Sequence, residues 1–133
     1  KFGFILRGYK IEHVVFHGAP IIYGPCENLV FGINVHLNNA VTINCRDKVY
    51  IGNNVHLSDG CKLQTGMLSK NREILGHING GIKIEDNVWI ASGVVISPGV
   101  TIGKGSVVGA NSVVLKDIGS SEFWGGVPAK RIN

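Results

Sequence analysis

Written from Ile84 in blocks of six, the chain reads IEDNVW, IASGVV, ISPGVT, IGKGSV, VGANSV. Position one is Ile or Val, position five is Val or Ser, and Gly, Asn or Asp crowd positions two to four. The same phase appears upstream as FGINVH and LNNAVT (31–42) and as IGNNVH and LSDGCK (51–62). Between them INCRDKVY (43–50) is the same unit with two extra residues. A period this short cannot bury an apolar face within one unit, so the units must stack, and a fixed period over most of a chain predicts a solenoid.

Alternation along a strand gives the geometry. Positions five and one lie two residues apart and both point inward, while position six between them points outward. Positions two to four form the corner, where Gly and Asn tolerate positive φ. Three hexads then make one triangular coil, with successive coils about 4.8 Å apart as neighbouring strands are. The 19 glycines and only four prolines fit short strands joined by tight turns.

The hexads also phase the one stretch that breaks the pattern, TGMLSKNREILGHINGGIKIEDNVWIAS (65–92). With 31–36, 37–42 and 43–50 on three successive faces, 51–56 returns to the first face and 63 onward begins the third. Leu63 and Ile84 both hold position one but lie 21 residues apart. A protruding loop at about 64–83 therefore interrupts the third face, and 84–89 returns to the first. His36, His56 and Trp89 all fall at position six of first-face hexads and should form one outward column. The loop, carrying His77, feeds into the top of it. A solvated or subunit-packed role for His36 and His56, and an interface role for Trp89, are the plain alternatives.

Composition narrows the class. At 133 residues, 44% apolar and 17% charged, the chain is globular and sized for one domain. A net charge of +4 without a basic, aromatic-interleaved cluster argues against nucleic acid and suits a small anionic ligand. No apolar run approaches the roughly 20 residues needed to cross a bilayer, and no signal-peptide pattern opens the chain, so the cytoplasm is the expected location. Cys26, Cys45 and Cys61 lack zinc-ligand spacing and are expected to be reduced structural thiols.

The string IEDNVWIASGVVISPGVTIGKGSVVGANSVVLKDI (84–118) with the closing GGVPAKRI (125–132) resembles the hexapeptide-repeat acyltransferases, most nearly the maltose/galactoside and bacterial polysaccharide O-acetyltransferases. The likeness covers roughly 31–132. It implies an all-β fold, a single-stranded left-handed parallel β-helix, and it alone supplies the hand, because general crossover rules favour the opposite one. On this basis 1–30 is a cap or irregular first coil, 31–118 the helix with its inserted loop, and 119–133 a C-terminal tail. The resemblance further implies a homotrimer with active sites between neighbouring helices.

The same resemblance implies acetyl transfer from acetyl-CoA, a cosubstrate, to a hydroxyl of a sugar or surface-polysaccharide precursor, with no metal required. Such chemistry needs a base for the hydroxyl and a hydrogen-bond donor for the tetrahedral oxygen. Similar enzymes use a loop histidine and a backbone N–H, which by position is that of Ser92. They place the histidine directly after Thr-Gly, yet here Met67 and Leu68 follow Thr65-Gly66. His77, ten residues on, is the expected base, with His56 next. Asn38 matches an acceptor-site asparagine. Asp47 lies within one residue of an acceptor-site aspartate, or is a turn residue. His56 and Trp89 complete the acceptor wall. The pantetheine arm of coenzyme A would follow Ala91, Ser92, Gly109, Ala110, Leu115 and Lys116. Lys130 and Arg131 would meet its phosphates, or form a solvated tail.

Two other readings stay open: N-acetyl transfer to an amino sugar nucleotide, and a β-helix scaffold that has lost catalysis. A γ-class carbonic anhydrase is suggested by histidines at 36, 56 and 77, but that class sets two of its histidines close together on one loop, and this loop has one.

Overall fold

The computed structural model describes residues 8–68 and 77–133, with His77 described by its backbone alone. The chain visits three flat faces in turn. The first face holds β1 (Val14–Phe16), β4 (Val35–Leu37), β7 (His56–Leu57), β12 (Trp89–Ile90), β15 (Val107–Val108) and β17 (Phe123–Gly125), all parallel, with β18 (Lys130–Arg131) antiparallel to β17 at its edge. The second holds β2 (Ile21–Tyr23), β5 (Thr42–Asn44), β8 (Lys62–Gln64), β13 (Val95–Ile96) and β16 (Val113–Val114). The third holds β3 (Leu29–Phe31), β6 (Val49–Ile51), β11 (Ile82–Ile84) and β14 (Thr101–Ile102). The result is a left-handed parallel β-helix of about five turns. Residues 14–31 already form a coil in register with the next, pairing Val14 with Val35, Ile21 with Thr42 and Leu29 with Val49.

The inward positions behave as the hexads predict. Val35 and Leu37, Val55 and Leu57, and Val88 and Ile90 are buried in the first face, with Val49 and Ile51 and then Ile82 and Ile84 in the third. Cys61 and Leu63 take the same two positions in the second face, and Cys45 and Cys61 are buried free thiols. Each fully buried Leu or Ile contributes about 1.5–3 kcal/mol through the apolar surface it removes from water.

Corner chemistry is sharper than the sequence pattern alone suggests. Asn34, Ala40, Asn54, Asn87 and Asn111 have φ between 56° and 60°, and Gly60, Gly93, Gly99 and Gly105 between 70° and 80°. All nine occupy position four. Within the hexads only that position adopts the left-handed conformation, which explains why it is Gly or Asn in eight of the nine. Position two faces a different constraint. A Cβ on Gly52 would collide with the Asp86 side chain of the next coil. That carboxylate accepts the Asn53 N–H at 2.8 Å, and Asn53 Oδ1 in turn accepts the Ile33 N–H at 2.8 Å. The corners are thus tied coil to coil by side-chain acceptors as well as by the strand ladders.

The interruption leaves the helix between the second-face strand β8 and the third-face strand β11, as the phase predicts. Its stem is an antiparallel pair, β9 (Gly66–Leu68) against β10 (His77–Asn79), with Leu68 opposite His77 and Gly66 opposite Asn79. Thr65 roots it. Its buried hydroxyl donates to the Asn44 carbonyl at 2.8 Å and accepts the Asp47 N–H at 3.1 Å, while its own carbonyl accepts the Gly80 N–H at 2.9 Å. The two ends of the arm therefore meet on a fixed, buried base.

Candidate active site

Strand register on the first face sets Val15, His36, His56, Trp89, Val107 and Phe123 in one column. His36, His56 and Trp89 align as their position-six phase requires. A third imidazole joins them: His17, one residue past β1, lies against His36 and His56. Ring centroids are 5.1 Å apart for His17–His36, 5.2 Å for His36–His56 and 6.1 Å for His17–His56, with the three planes parallel within 10°.

The hydrogen bonds fix the tautomers. Asn34 Nδ2 donates to Asn54 Oδ1 at 3.0 Å, which leaves Asn34 Oδ1 to face His36 Nε2 at 2.9 Å. An amide oxygen only accepts, so His36 carries its proton on Nε2 and offers Nδ1 as an acceptor. His17 Nε2 lies 2.8 Å from that Nδ1 and is the donor. His56 Nε2 faces Asn38 Oδ1 at 3.1 Å, so its N–H sits there too and its lone pair sits on Nδ1. Partial burial of the His56 ring, then the neighbouring His36 and His17, hold His56 below the ordinary imidazole range; Asp59 pulls weakly the other way.

Next along the first face from His56, beginning at its neighbour Trp89, lies a groove of about 420 Å³ lined by Ser58, Trp89, Ala91, Ser92, Val107, Gly109, Ala110 and Phe123. Trp89 is half exposed, and its indole N–H donates to Ser58 Oγ at 3.0 Å, which holds the ring across one end. Gly109 and Ala110 keep the floor low. The Gly109 N–H is spent on the Trp124 carbonyl, but the Ser92 N–H, at a corner, has no acceptor among the described residues.

The remaining expected site residues are more dispersed. Asn38 reaches the imidazole column. Asp47 sits at the arm's root instead, its carboxylate accepting the Lys48 N–H at 2.7 Å as a turn residue does. Leu115, Lys116 and Lys130 are exposed and lie outside the groove lining. The Arg131 guanidinium is 3.2 Å from the Glu122 carboxylate. Met67 and Leu68 are exposed on the stem. The side chain of His77, expected as the base, lies outside the described residues. Sequence reasoning missed Ser58, Phe123 and His17. Ser58, position two of LSDGCK, adjoins the column and was open to the hexad phase; Phe123 follows the regular hexads and His17 precedes them.

The bacterial transferase hexapeptide family (six repeats) matches residues 81–116. A hexapeptide-repeat-containing acetyltransferase from Vibrio cholerae, solved in complex with acetyl coenzyme A, is 30% identical over 91% of this chain and 70% of its own, with a TM-score of 0.77. A maltose O-acetyltransferase from Clostridium difficile is 30% identical over 95% of this chain and 68% of its own, with a TM-score of 0.86. The chain belongs to the hexapeptide-repeat acetyltransferases. A galactoside acetyltransferase in complex with coenzyme A is 34% identical over 90% of this acetyltransferase chain and 63% of its own, at a TM-score of 0.78. A comparison with curated protein sequences finds no match. Within the hexapeptide-repeat acetyltransferase fold, the groove beside Trp89 lies where the motif VWIAS leaves the column, which is the stretch the family match covers.

Proposed function

We propose that the chain transfers an acetyl group from acetyl-CoA to a hydroxyl of a sugar or surface-polysaccharide precursor. The observation that carries this reading is the Trp89–Phe123 groove, whose wall residue Trp89 stands on the strand paired with that of His56. Its low floor of Ala91, Gly109 and Ala110 suits a narrow pantetheine arm laid against backbone. The Vibrio cholerae and galactoside acetyltransferases, which were solved with acetyl coenzyme A and coenzyme A, support the donor. Lys130 and Arg131 are the cations proposed to meet its phosphates. A homotrimer with grooves between neighbours, and a cytoplasmic site of action, belong to the same proposal.

His56 is the base in this mechanism. Its Nδ1 takes the hydroxyl proton as the acceptor oxygen bonds to the thioester carbonyl carbon. The tetrahedral oxyanion is received by the Ser92 N–H. The C–S bond then breaks, and the leaving thiolate recovers the proton, giving an ester and free coenzyme A thiol. Asn38, by accepting from Nε2, keeps the lone pair on Nδ1 and becomes a stronger partner as the ring gains charge. His77, on the arm's stem opposite Leu68, is the alternative base. Under this mechanism the arm shapes the acceptor pocket.

Thiol release from acetyl-CoA with a panel of sugar acceptors tests this. His56→Ala is expected to lower kcat by about 10²- to 10⁴-fold, the usual worth of a general base, and His77→Ala by much less. The opposite order would move the base to the arm. Absence of both coenzyme A binding and transfer would overturn the proposal, and acetylation of amino sugars alone would replace its acceptor.

A further inference from the structure

The imidazole column holds more histidines than a single proton transfer uses. None of the three imidazoles lines the groove itself; His56 lies next to its wall residue Trp89, while His17 and His36, farther from it, are hydrogen-bonded to each other and stacked on His56 with parallel planes. We infer that His17 and His36 are positioning residues that act through His56: the bonded pair takes up the first proton entering the column and so keeps His56 a neutral imidazole with its lone pair on Nδ1. This rests on His56 being the base of the proposed reaction.

The hydrogen-bond chain explains why the pair is the better place for a proton. His17 Nε2–H donates to His36 Nδ1, and His36 Nε2–H donates to Asn34 Oδ1, whose amide is held by Asn54. If His36 is protonated, both its nitrogens become donors, and His17 answers by shifting its own proton to Nδ1 and accepting at Nε2. The added charge is then shared across one short bond and buffered by the Asn34 amide. His56 has Asn38 Oδ1 for its Nε2–H alone, and among the described residues nothing accepts from a second N–H at Nδ1. Once the pair is charged, a second proton on His56 would sit about 5 Å from like charge, which disfavours it.

The groups facing His56 from each packed element support this order. Beneath it are His36 on β4 and His17 after β1; beside it are Asn38 and Ser58; above it is Trp89 on β12, which does not titrate. Asp59, at the next corner, is the only acidic group among the described residues that acts on it, and weakly. The lowered protonation of His56 has the same sources, burial first and then His36 and His17.

Nitrogen-15 imidazole spectra of the intact protein across pH 4.5 to 8.5 test the inference without any catalytic readout. The chain has five histidines, few enough to assign by single substitution. The expected result is an Nε2–H tautomer for His17, His36 and His56 at neutral pH, with the His17–His36 pair titrating before His56. In His17→Phe and in the His17→Phe, His36→Phe double variant, which keep a flat ring and lose the proton site, the His56 midpoint should rise. His17→Gln, which still donates to His36 but takes no proton, should preserve the His36 tautomer and raise the His56 midpoint. Both side chains project from the surface, so folding is not at stake. A His56 midpoint unchanged in all three, or a His56 that protonates first, would overturn the inference. If the midpoint rises and the acid limb of kcat/KM for acetyl transfer rises with it, inference and base assignment both stand. A midpoint that rises while the acid limb stays put upholds the stack and removes His56 as the base.

Discussion

At the residue scale, position four of the hexad is the most demanding site in the chain. Its residues sit near φ +60°, where a Cβ costs about 1–2 kcal/mol and asparagine is among the few side chains that go there readily. Asn111→Gly should therefore be neutral or slightly stabilising, whereas Asn111→Val should destabilise by about 1–2 kcal/mol or more, read from urea denaturation midpoints. Position one tests packing instead. Ile96 is fully buried, and Ile96→Ala should cost about 2–5 kcal/mol in the same experiment. Both positions are legible in the sequence, because their chemistry repeats every six residues. His17 is not. Its neighbours Val14, Val15 and Phe16 identify a strand, but only the pairing of β1 with β4 turns a residue beyond the strand end onto His36 and His56.

At the scale of elements, the arm is the part of the molecule that can be changed without changing the rest. Its point of insertion is readable from the 21-residue gap between two position-one residues. Its anchor is not, since nothing in the sequence says that Thr65 is buried with its hydroxyl shared between Asn44 and Asp47 of the preceding coil. Thr65→Ala removes both bonds and leaves the Asn44 carbonyl short of a donor. It should cost about 1–3 kcal/mol and speed amide exchange in β9 and β10 before it affects β7 or β12. Because Gly80 N–H already bonds the Thr65 carbonyl, replacing residues 66–79 by one or two glycines should leave circular dichroism and the melting transition of the helix almost unchanged. Under the proposed mechanism that variant keeps coenzyme A binding and loses selectivity among acceptors. Loss of the folded helix itself would show that the arm holds β8 and β11 in place, contrary to what their ladders indicate.

For the whole molecule, the solenoid makes stability a sum over coils, so buried titratable groups are felt globally. Burial pushes the Cys61 thiol up to about 12, which leaves it protonated and shielded at neutral pH. Iodoacetamide should label Cys26, partly exposed, under native conditions, and Cys61 only after unfolding. His56 sets a pH dependence of opposite interest. Its folded protonation lies below the ordinary value of 6.5, so between the two the unfolded chain binds more protons than the folded one. Stability is therefore full above pH 6.5 and declines as pH falls through that window. The melting temperature should drop on acidification through it, and His56→Phe should flatten the slope.

Whatever repeats is already decided along the chain: the triangular coil, the inward and outward positions, the corner that needs Gly or Asn, and the point where the arm breaks in. Short-range periodicity encodes these because every coil poses the same local problem and solves it with the same residues. Everything that depends on stacking one coil on the next was left to the folded molecule. Stacking brought His17 to the column, drew Ser58 and Phe123 into the groove wall and turned Asp47 to the arm's root, and the antiparallel return of β18 on β17 gave Arg131 to Glu122. Each of those contacts joins residues more than one hexad apart in the chain, and no six-residue window holds both partners.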